Sequence, residues 1–278
     1  MSQRPGAIVS GASTGIGEAT VTLLARSGFI AFAGVRTQAD AQRLQALDAN
    51  IRPVTLEVTD AASVESAIGE VASSGVPLKG VVSNAGIALG GPLERFPLEQ
   101  LRRQFDVNVF GALALVKAAL PHLLSPGGRV VFVGSISGRL AMPYLGPYSA
   151  SKFALRALAD SLRGELAPAG IAVSLIEPGS VNTPIWRKGR ESRDRLRAML
   201  GDDARPHYYR MLERLLQATE QQERIGIPAE RVAEAILRAL TASRPRANYL
   251  LGSAKAGSVV AMLPARLRDR LLRVPQIR

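Results

Sequence analysis

Short apolar runs alternate with longer amphipathic stretches along most of the chain. Each run spans four to six residues, and most are bounded by glycine, proline or polar residues. Runs of this kind are typical of strands buried on both faces of a parallel sheet. They predict strands at 7–10, 30–33, 51–56, 80–83, 129–133, 173–176 and 248–251.

Between these runs the apolar positions recur every three to four residues, which predicts amphipathic helices. Ile16 and Leu23 share one face of the first helix, Gly28 ends it, and Asp60 is placed to cap the third helix. The predicted helices cover 16–27, 39–47, 61–73, 98–123, 149–167 and 228–240. Strands that alternate with helices predict an α/β fold, a doubly wound parallel sheet with helices on both faces.

No break in this pattern divides the chain, so we predict one domain over residues 1–278. The segment 183–226 departs from the pattern because it is rich in arginine and helix formers, and we call it the lid segment. It is apolar enough to cover a lipophilic ligand. Packing of the same residues against the body or a partner subunit explains them equally well. They include Ile185, Trp186, Met199, Leu200, Tyr208, Tyr209, Met211 and Leu212.

Composition excludes several kinds of chemistry. The chain has 278 residues, no cysteine and two histidines, His122 and His207. Disulfides, thiolate nucleophiles and zinc–cysteine sites are therefore excluded, and so is a histidine-rich metal site. The longest apolar runs fall short of the roughly 18 residues that a membrane span needs, and the first is too short for a signal peptide. We expect a cytoplasmic protein without a metal.

The net charge of +12 is concentrated in two stretches. Residues 187–197 carry +4 and residues 255–278 carry +5. Basic clusters favour anionic partners, but aromatic residues are too sparse for a base-stacking surface, so we predict no nucleic-acid binding. In 262–274, leucines including Leu267 and Leu271 recur at helical spacing beside arginines. Such a stripe can lie on an anionic membrane. We favour docking on the protein body or a neighbouring subunit.

A glycine-rich turn follows the first predicted strand and opens directly into a helix. Its sequence is Ser10-Gly-Ala-Ser-Thr-Gly-Ile-Gly17. Unpaired N–H groups at a helix start suit a pyrophosphate, and glycine lets the backbone approach it closely. An ordinary glycine-rich turn is the alternative. The strand–turn–helix setting at the start of a βαβ pattern favours dinucleotide binding.

The second strand leads into Val35 and Arg36. An acid at this position binds the ribose hydroxyls of NAD, whereas an arginine accommodates the 2′-phosphate of NADP. We therefore predict a preference for NADP(H), with NAD(H) as the second choice. The alternative is an exposed surface arginine.

Tyr148 and Lys152 lie four residues apart at a predicted helix start, on one face and one turn apart. A nearby ammonium is expected to lower the pKa of a phenol, so the pair makes an acid/base unit. By spacing alone a solvated surface pair is the commoner explanation. Ser135 and Ser137 follow the strand at 129–133, where ligands bind in such sheets, and spacing alone does not choose between them.

Taken together, these motifs resemble the short-chain dehydrogenase/reductase family, whose fold is a seven-stranded Rossmann-type sheet. The resemblance runs from about residue 5 to 185 and weakly to 252. It is carried by Ser10-Gly-x3-Gly-Ile-Gly17, Ser83-Asn-Ala-Gly86, Asn108, Ser135, Tyr148-x3-Lys152 and Pro178-Gly179. In this order and at this spacing the motifs are highly specific.

The resemblance implies a role for each matching residue. Tyr148 would be the general acid/base, and Lys152 would lower its pKa and bind the nicotinamide ribose. Ser135 would hydrogen-bond the substrate oxygen, which makes Ser137 secondary, and Asn108 would hold a water that links Lys152 to solvent. The implied cofactor-binding residues are Gly11, Ser13, Thr14, Gly15, Ile16, Gly17, Arg36, Glu57, Val58, Asn84, Ala85, Gly86, Tyr148, Lys152, Pro178, Gly179, Val181 and Thr183.

Three positions depart from the family pattern. Ser10 replaces a threonine and keeps the hydroxyl, and Ser83 replaces the first asparagine of its motif. Glu57 stands where an aspartate usually contacts the adenine, which leaves its role open.

Within the family, 32–36 and 136–140 resemble the branch of retinol and hydroxysteroid dehydrogenases. This branch implies a small lipophilic alcohol or ketone as substrate, and the family implies a homodimer or homotetramer. The leading hypothesis is an NADP(H)-dependent enzyme that moves a hydride between nicotinamide and a carbonyl or alcohol carbon. A non-catalytic dinucleotide sensor is the alternative, but it would be expected to lack Tyr148 or Lys152. A lyase of halohydrin type would need a disrupted glycine loop and an arginine at position 152.

Overall fold

The computed structural model describes residues 3–183, 200–201, 208–209 and 225–272. Seven strands form one parallel sheet. They are β1 (Gly6–Val9), β2 (Ile30–Val35), β3 (Ile51–Thr55), β4 (Leu78–Ser83), β5 (Arg129–Val133), β6 (Ala172–Pro178) and β7 (Asn248–Leu251). Their order is β3-β2-β1-β4-β5-β6-β7, which confirms the predicted parallel sheet.

Helices cover both faces of the sheet. They are α1 (Gly15–Arg26), α2 (Gln38–Gln45), α3 (Ala61–Ser73), α4 (Leu98–Phe105), α5 (Ala112–Ala119), α6 (Gly146–Leu166), α7 (Ala229–Thr241), α8 (Ala254–Ala261) and α9 (Ala265–Leu272). One core lies between the sheet and α3, α5 and α6, and a second lies between the sheet and α1, α2 and α7. The doubly wound arrangement is therefore confirmed.

The strand order reverses between β1 and β4. From β1 the chain first moves outward to β2 and β3, and then returns to place β4 on the other side of β1. In open α/β sheets the crevice at the carboxyl ends of such strands is where ligands bind. The glycine-rich turn follows β1, and the segment 84–86 follows β4, so both border this crevice.

The stretch predicted as one helix over 98–123 has an irregular interior. A π-helical turn, Asp106–Gly111, separates α4 from α5, and a 3₁₀ turn that contains Pro121 ends the stretch. Gly111 allows close contact there, because a Cβ at this position would lie 2.8 Å from the carbonyl oxygen of Val58. The helical pattern predicted the extent of this stretch but not the extra residue that π turns insert.

The stripe of leucines and arginines predicted over 262–274 does not lie on one continuous helix. Pro264 separates α8 from α9, and α9 has no buried residue. Leu267 is 53% exposed and Leu271 is 63% exposed. Leu267 and Leu271 of α9 therefore do not pack on the described body of the chain, and the expected alternative, a contact with a neighbouring subunit, stays a prediction.

Most of the lid segment lies outside the described residues, so its role stays a prediction. Tyr208, which is described, stacks edge-on against Tyr144 with ring centroids 6.1 Å apart. Within the described part of the chain, no helix combines the length and the apolar character that crossing a bilayer requires.

Leu240 tests the packing between α7 and the sheet. It is fully buried, and a Cβ on Gly80 of β4 would lie 2.4 Å from its Cδ2 atom. We expect Leu240→Ala to lower the free energy of unfolding by about 3 kcal/mol, because it removes methyl groups and leaves a cavity. Urea unfolding measures the change. Leu47→Ala, at a side chain 51% exposed, is the control and should cost under about 0.5 kcal/mol. Equal costs would contradict this packing.

Candidate active site

The three residues of the predicted proton-transfer group lie together. Ser135 follows β5, and Tyr148 and Lys152 lie on the first turns of α6. Tyr148 is 7% exposed and Lys152 is 5% exposed, so the pair is buried rather than solvated. The Nζ atom of Lys152 lies 5.8 Å from the centroid of the Tyr148 ring. The explanation as a solvated surface pair is therefore wrong.

Of the two candidate serines, Ser135 is the one whose side chain contacts Tyr148. A hydrogen bond joins its side chain to Tyr148. Its hydroxyl oxygen also accepts the backbone N–H of Ser137 at 3.1 Å, which caps the 3₁₀ turn Ile136–Gly138. Ser137 is buried, and its backbone orients Ser135.

Burial dominates the protonation of this group. It raises the pKa of Tyr148 to about 12, and the hydrogen bond with Ser135 offsets only part of the rise. Burial also lowers the pKa of Lys152 to about 8. The net shift of the Tyr148 pKa is therefore opposite to the one expected from Lys152, because burial is its largest cause. At neutral pH, Tyr148 is a protonated phenol beside a lysine that is mostly charged.

Lys152 is held by the strand next to it. Its Nζ atom donates to the carbonyl oxygen of Val133, the last residue of β5, at 3.0 Å. A Cβ on Gly86 would lie 3.7 Å from this Nζ and 3.3 Å from the Oδ1 atom of Asn108. Gly86 thus lines the space beside both polar groups, and a larger residue there would fill it.

Asn108 projects from the π-helical turn and is buried. Its Oδ1 atom accepts the N–H of Ile87 at 2.8 Å. Its Nδ2 atom donates to the carbonyl oxygen of Ile87 at 2.9 Å and to the hydroxyl of Ser151 at 3.0 Å. Both amide protons are therefore used to join the segment after β4 to α6. The water predicted at Asn108 would therefore have to donate a hydrogen bond to a carbonyl oxygen of this residue.

Three glycines shape the turn after β1. Gly11 and Gly15 have φ of 63° and 59°, a left-handed conformation that glycine adopts without strain. A Cβ at Gly17 would lie 2.2 Å from the carbonyl oxygen of Gly11. Gly11 and Gly15 are therefore required for their backbone conformation, and Gly17 is required because there is no space for a side chain.

This glycine turn is fastened to the segment after β4. The buried hydroxyl of Ser10 accepts the backbone N–H groups of Asn84 and Ala85, each at 3.0 Å. In return, the Nδ2 atom of Asn84 donates to the carbonyl oxygens of Ser10 at 2.9 Å and Gly11 at 3.1 Å. The serine at position 10, where the family pattern has threonine, therefore keeps the hydroxyl that accepts these two N–H groups.

The start of α1 fits a pyrophosphate. Thr14 is the N-cap residue, and its side chain makes no capping hydrogen bond, so the backbone N–H groups of the first turn are not capped by it. Together with the helix dipole, such N–H groups attract an anion. Ser13 and Ile16 flank the same turn. The residues present therefore fit the phosphate end of a dinucleotide.

The residues predicted at the adenosine end carry charges of both signs. Arg36 is 68% exposed, and its Nη1 atom lies 3.4 Å from the Oε2 atom of Glu57. Burial raises the pKa of the Glu57 carboxyl, but hydrogen bonds from Thr59 and the charge of Arg36 outweigh it, and the net pKa is lowered. Glu57 therefore stays ionised and engaged with its neighbours. Val58, the next residue, is buried.

The residues predicted at the nicotinamide end follow β6. Pro178 ends the strand, and the N–H of Gly179 donates to the carbonyl oxygen of Leu251 in β7 at 3.0 Å. A Cβ on Gly179 would lie 2.1 Å from the Ser253 hydroxyl oxygen, so only glycine fits. Val181 and Thr183 are buried beyond it.

The predictions missed two arginines that hold the site together. Arg139 donates two hydrogen bonds, at 2.7 and 2.6 Å, to Glu177, which is fully buried on β6. An acid inside an otherwise apolar strand signals a buried partner. Arg43 of α2 pairs with Glu18 at 3.1 Å and donates to the carbonyl oxygen of Ser13 at 2.5 Å. No signal in the sequence distinguishes Arg43 from a surface arginine.

The fold and the site define a dinucleotide-dependent oxidoreductase, and comparison with known proteins agrees. Residues 6–194 match the family model described as short chain dehydrogenase. The NADPH-dependent 3-dehydrocapnine reductase of Ornithobacterium rhinotracheale is 34% identical over 277 residues, 95% of each chain. Retinol dehydrogenase 5 of Mus musculus is 32% identical over 285 residues, 95% of this chain and 86% of the other.

Solved structures give the same result. A short chain dehydrogenase/reductase from Burkholderia phymatum, in complex with NAD, has a TM-score of 0.78 and 25% identity over 99% of this chain and 98% of its own. The chain therefore belongs to the short-chain dehydrogenase/reductase family. This confirms the family resemblance and the expectation of an NAD(P)-dependent enzyme that acts on alcohol and carbonyl groups.

The buried lysine predicts a pH dependence of stability. Because folding lowers the pKa of Lys152 from 10.5 to about 8, the unfolded state binds more protons between these values. Above pH 10.5 the burial of a neutral Lys152 therefore costs the fold no stability from protonation. As the pH falls toward 8, the free energy of unfolding decreases. At pH 7 the loss is about 3 kcal/mol. Lys152→Met removes this dependence.

We expect the stability of Lys152→Met relative to the wild type to fall by about 2 kcal/mol between pH 7 and pH 9.5. Chemical denaturation at each pH measures the difference. It is independent of the constant cost of leaving the Val133 carbonyl without its donor. Lys117→Met, at an exposed lysine of α5, is the matched control and should show no such trend. A flat difference for Lys152→Met would mean that the lysine is not buried as described.

Proposed function

We propose that this protein is an NADP(H)-dependent oxidoreductase in which Tyr148 exchanges a proton with the oxygen of a lipophilic alcohol or ketone. The observation that carries the proposal is the buried group of Ser135, Tyr148 and Lys152 beside a glycine turn shaped for a dinucleotide. When bound, the nicotinamide supplies or accepts the hydride.

The chain's own residues handle the proton. With its pKa raised to about 12, Tyr148 stays protonated at neutral pH and can donate to a carbonyl oxygen as that oxygen gains negative charge. The Ser135 hydroxyl can hydrogen-bond the same oxygen, since it already contacts Tyr148. The ammonium of Lys152, 5.8 Å from the Tyr148 ring centroid, favours the phenolate that donation leaves behind. Asn108 positions α6, and a water at its carbonyl would return a proton from solvent.

The glycine turn and the strand ends would hold the cofactor. Gly11, Ser13, Thr14, Gly15, Ile16 and Gly17 would bind the pyrophosphate, and Asn84, Ala85 and Gly86 would line the adenosine and ribose side. Pro178, Gly179, Val181 and Thr183 would contact the nicotinamide end. The residues assigned to the pyrophosphate lie at the N-terminus of α1, which supports this assignment.

The preference for NADP(H) depends on Arg36. Its guanidinium is exposed at the end of β2, where it can pair with a 2′-phosphate. The 3-dehydrocapnine reductase is named as NADPH-dependent, which supports the preference. The NAD bound to the Burkholderia phymatum protein supports NAD(H) as the second choice. Glu57, paired with Arg36, would have to share this cation with the phosphate.

A lipophilic substrate is the finer part of the proposal. The similarity to retinol dehydrogenase 5 supports it, since retinol is a lipophilic alcohol. Leu93 and Met142, 68% and 39% exposed, lie on the two loops that approach the start of α6 and would contact such a substrate. We also propose a homodimer or homotetramer in the cytoplasm. Exposed phenylalanines, Phe110 and Phe153, support a subunit contact that would cover them.

Replacement of the phenol tests the acid/base assignment. We expect Tyr148→Phe to lower kcat by about 10³-fold, because the general acid is lost, and to leave NADPH affinity within a few-fold. Steady-state absorbance of NADPH with a panel of lipophilic ketones, and fluorescence titration of the cofactor, give the two values. Tyr249→Phe on β7 is the matched control. Retained turnover in Tyr148→Phe would rule out this proton route.

Replacement of the arginine tests the cofactor preference. We expect Arg36→Ala to weaken NADPH binding by about 10- to 100-fold and to leave NADH binding nearly unchanged, because a charge-assisted hydrogen bond to the phosphate is lost. Titration of both cofactors measures this ratio. Arg26→Ala, at the far end of α1 from the glycine turn, controls for the loss of one positive charge. Equal effects on NADPH and NADH would refute the 2′-phosphate contact.

A further inference from the structure

The exposed face of α9 combines apolar and basic side chains in a definite order. Leu267 and Leu271 are four residues apart, so they lie on one face of the helix, and both are more than half exposed. With 3.6 residues per turn, Arg266 and Arg270 lie on one side of this leucine pair and Arg268 lies on the other. Asp269, the only acid of α9, lies on the opposite face.

The preceding helix also carries exposed apolar and basic side chains. Val259 of α8 is 58% exposed, and Met262, between α8 and α9, is 77% exposed. Lys255 at the start of α8 is also exposed. We call this set of exposed apolar and basic side chains on α8 and α9 the C-terminal surface.

We infer that the C-terminal surface binds the surface of an anionic lipid bilayer, which goes beyond the proposed oxidoreductase activity. A helix with an apolar stripe flanked by arginines can bury its leucines at the acyl boundary while the guanidinium groups extend to lipid phosphates. No residue of α9 is buried, so its apolar face is available.

The charge of this region favours lipid over a second copy of the chain. Residues 255–278 carry six basic residues and one acid, a net charge of +5. A symmetric contact between two copies of this face would bring arginine against arginine, which is unfavourable. An anionic bilayer has the complementary charge, and each basic residue near it adds about fivefold to binding.

The C-terminal surface also lies close to the catalytic residues. Helix α8 packs on the 3₁₀ turn that follows Ser135, since a Cβ on Gly257 would lie 2.7 Å from the Cγ1 atom of Ile136. A bilayer bound to the exposed side of α8 would therefore be separated from the turn that begins at Ser135 by this one helix.

Vesicle flotation with the purified full-length chain tests the inference. We expect binding to phosphatidylglycerol vesicles at low salt, and at least tenfold less binding to phosphatidylcholine vesicles or at high salt. The triple variant R266Q/R268Q/R270Q should bind about a hundredfold more weakly, because it loses three basic residues. L267S/L271S should lose at least tenfold as well. All substituted side chains are at least partly exposed, and unfolding curves check that each variant folds.

Matched variants elsewhere on the surface serve as controls. L47S/L98S removes two exposed leucines, and R26Q/R52Q/R102Q removes three exposed arginines, so both should bind vesicles like the wild type. The inference is overturned by no binding to anionic vesicles at low salt, or by equal losses in the control variants. It is also overturned if L267S/L271S changes only the sedimenting mass, which would make this face a subunit contact. Flotation does not require turnover, so failure here is distinguishable from failure of the proposed function.

Discussion

One buried hydroxyl joins the two strand ends on which the site is built. Ser10 follows β1, and its hydroxyl oxygen accepts the N–H groups of Asn84 and Ala85, which begin the segment after β4. This bridge adds to the backbone pairing of β1 with β4 and to the hydrogen bonds from the Asn84 side chain. With it, the glycine turn that fits a pyrophosphate and the glycine that borders Lys152 belong to one rigid unit. The position of the cofactor is therefore linked to the position of the proton-transfer group.

The buried pair of Tyr148 and Lys152 is costly to the fold. Burial disfavours both the ammonium of Lys152 and the phenolate of Tyr148, as the directions of their pKa shifts show. The Val133 carbonyl compensates for part of this cost at Lys152, and the Ser135 hydroxyl does so at Tyr148. Buried and strongly shifted titratable groups of this kind are typical of active sites, where they serve the reaction rather than stability. The rest of the fold, two cores and seven parallel strands, keeps them in place.

Much of this site follows from local sequence, because its parts are contiguous. The glycine turn directly follows a strand, and Tyr148 and Lys152 are one helical turn apart, so their proximity needs only the helix to form. The remainder depends on contacts between distant segments. The Arg139–Glu177 pair joins positions 38 residues apart, and the π-helical turn that directs Asn108 inward has no simple pattern. The sign of the Tyr148 pKa shift was missed for the same reason, since burial is a property of the whole fold.

The Arg139–Glu177 pair shows how these distant contacts serve the chemistry. Arg139 ends the short turn that begins at Ser135, and Glu177 precedes Pro178 and Gly179 at the end of β6. A bidentate contact between a planar guanidinium and a buried carboxylate restricts both partners in distance and in angle. The serine that contacts Tyr148 and the strand end assigned to the nicotinamide therefore cannot move independently. Helix α8 packs on the same turn through Ile136, so the turn that begins at Ser135 also contacts the helix that carries part of the C-terminal surface.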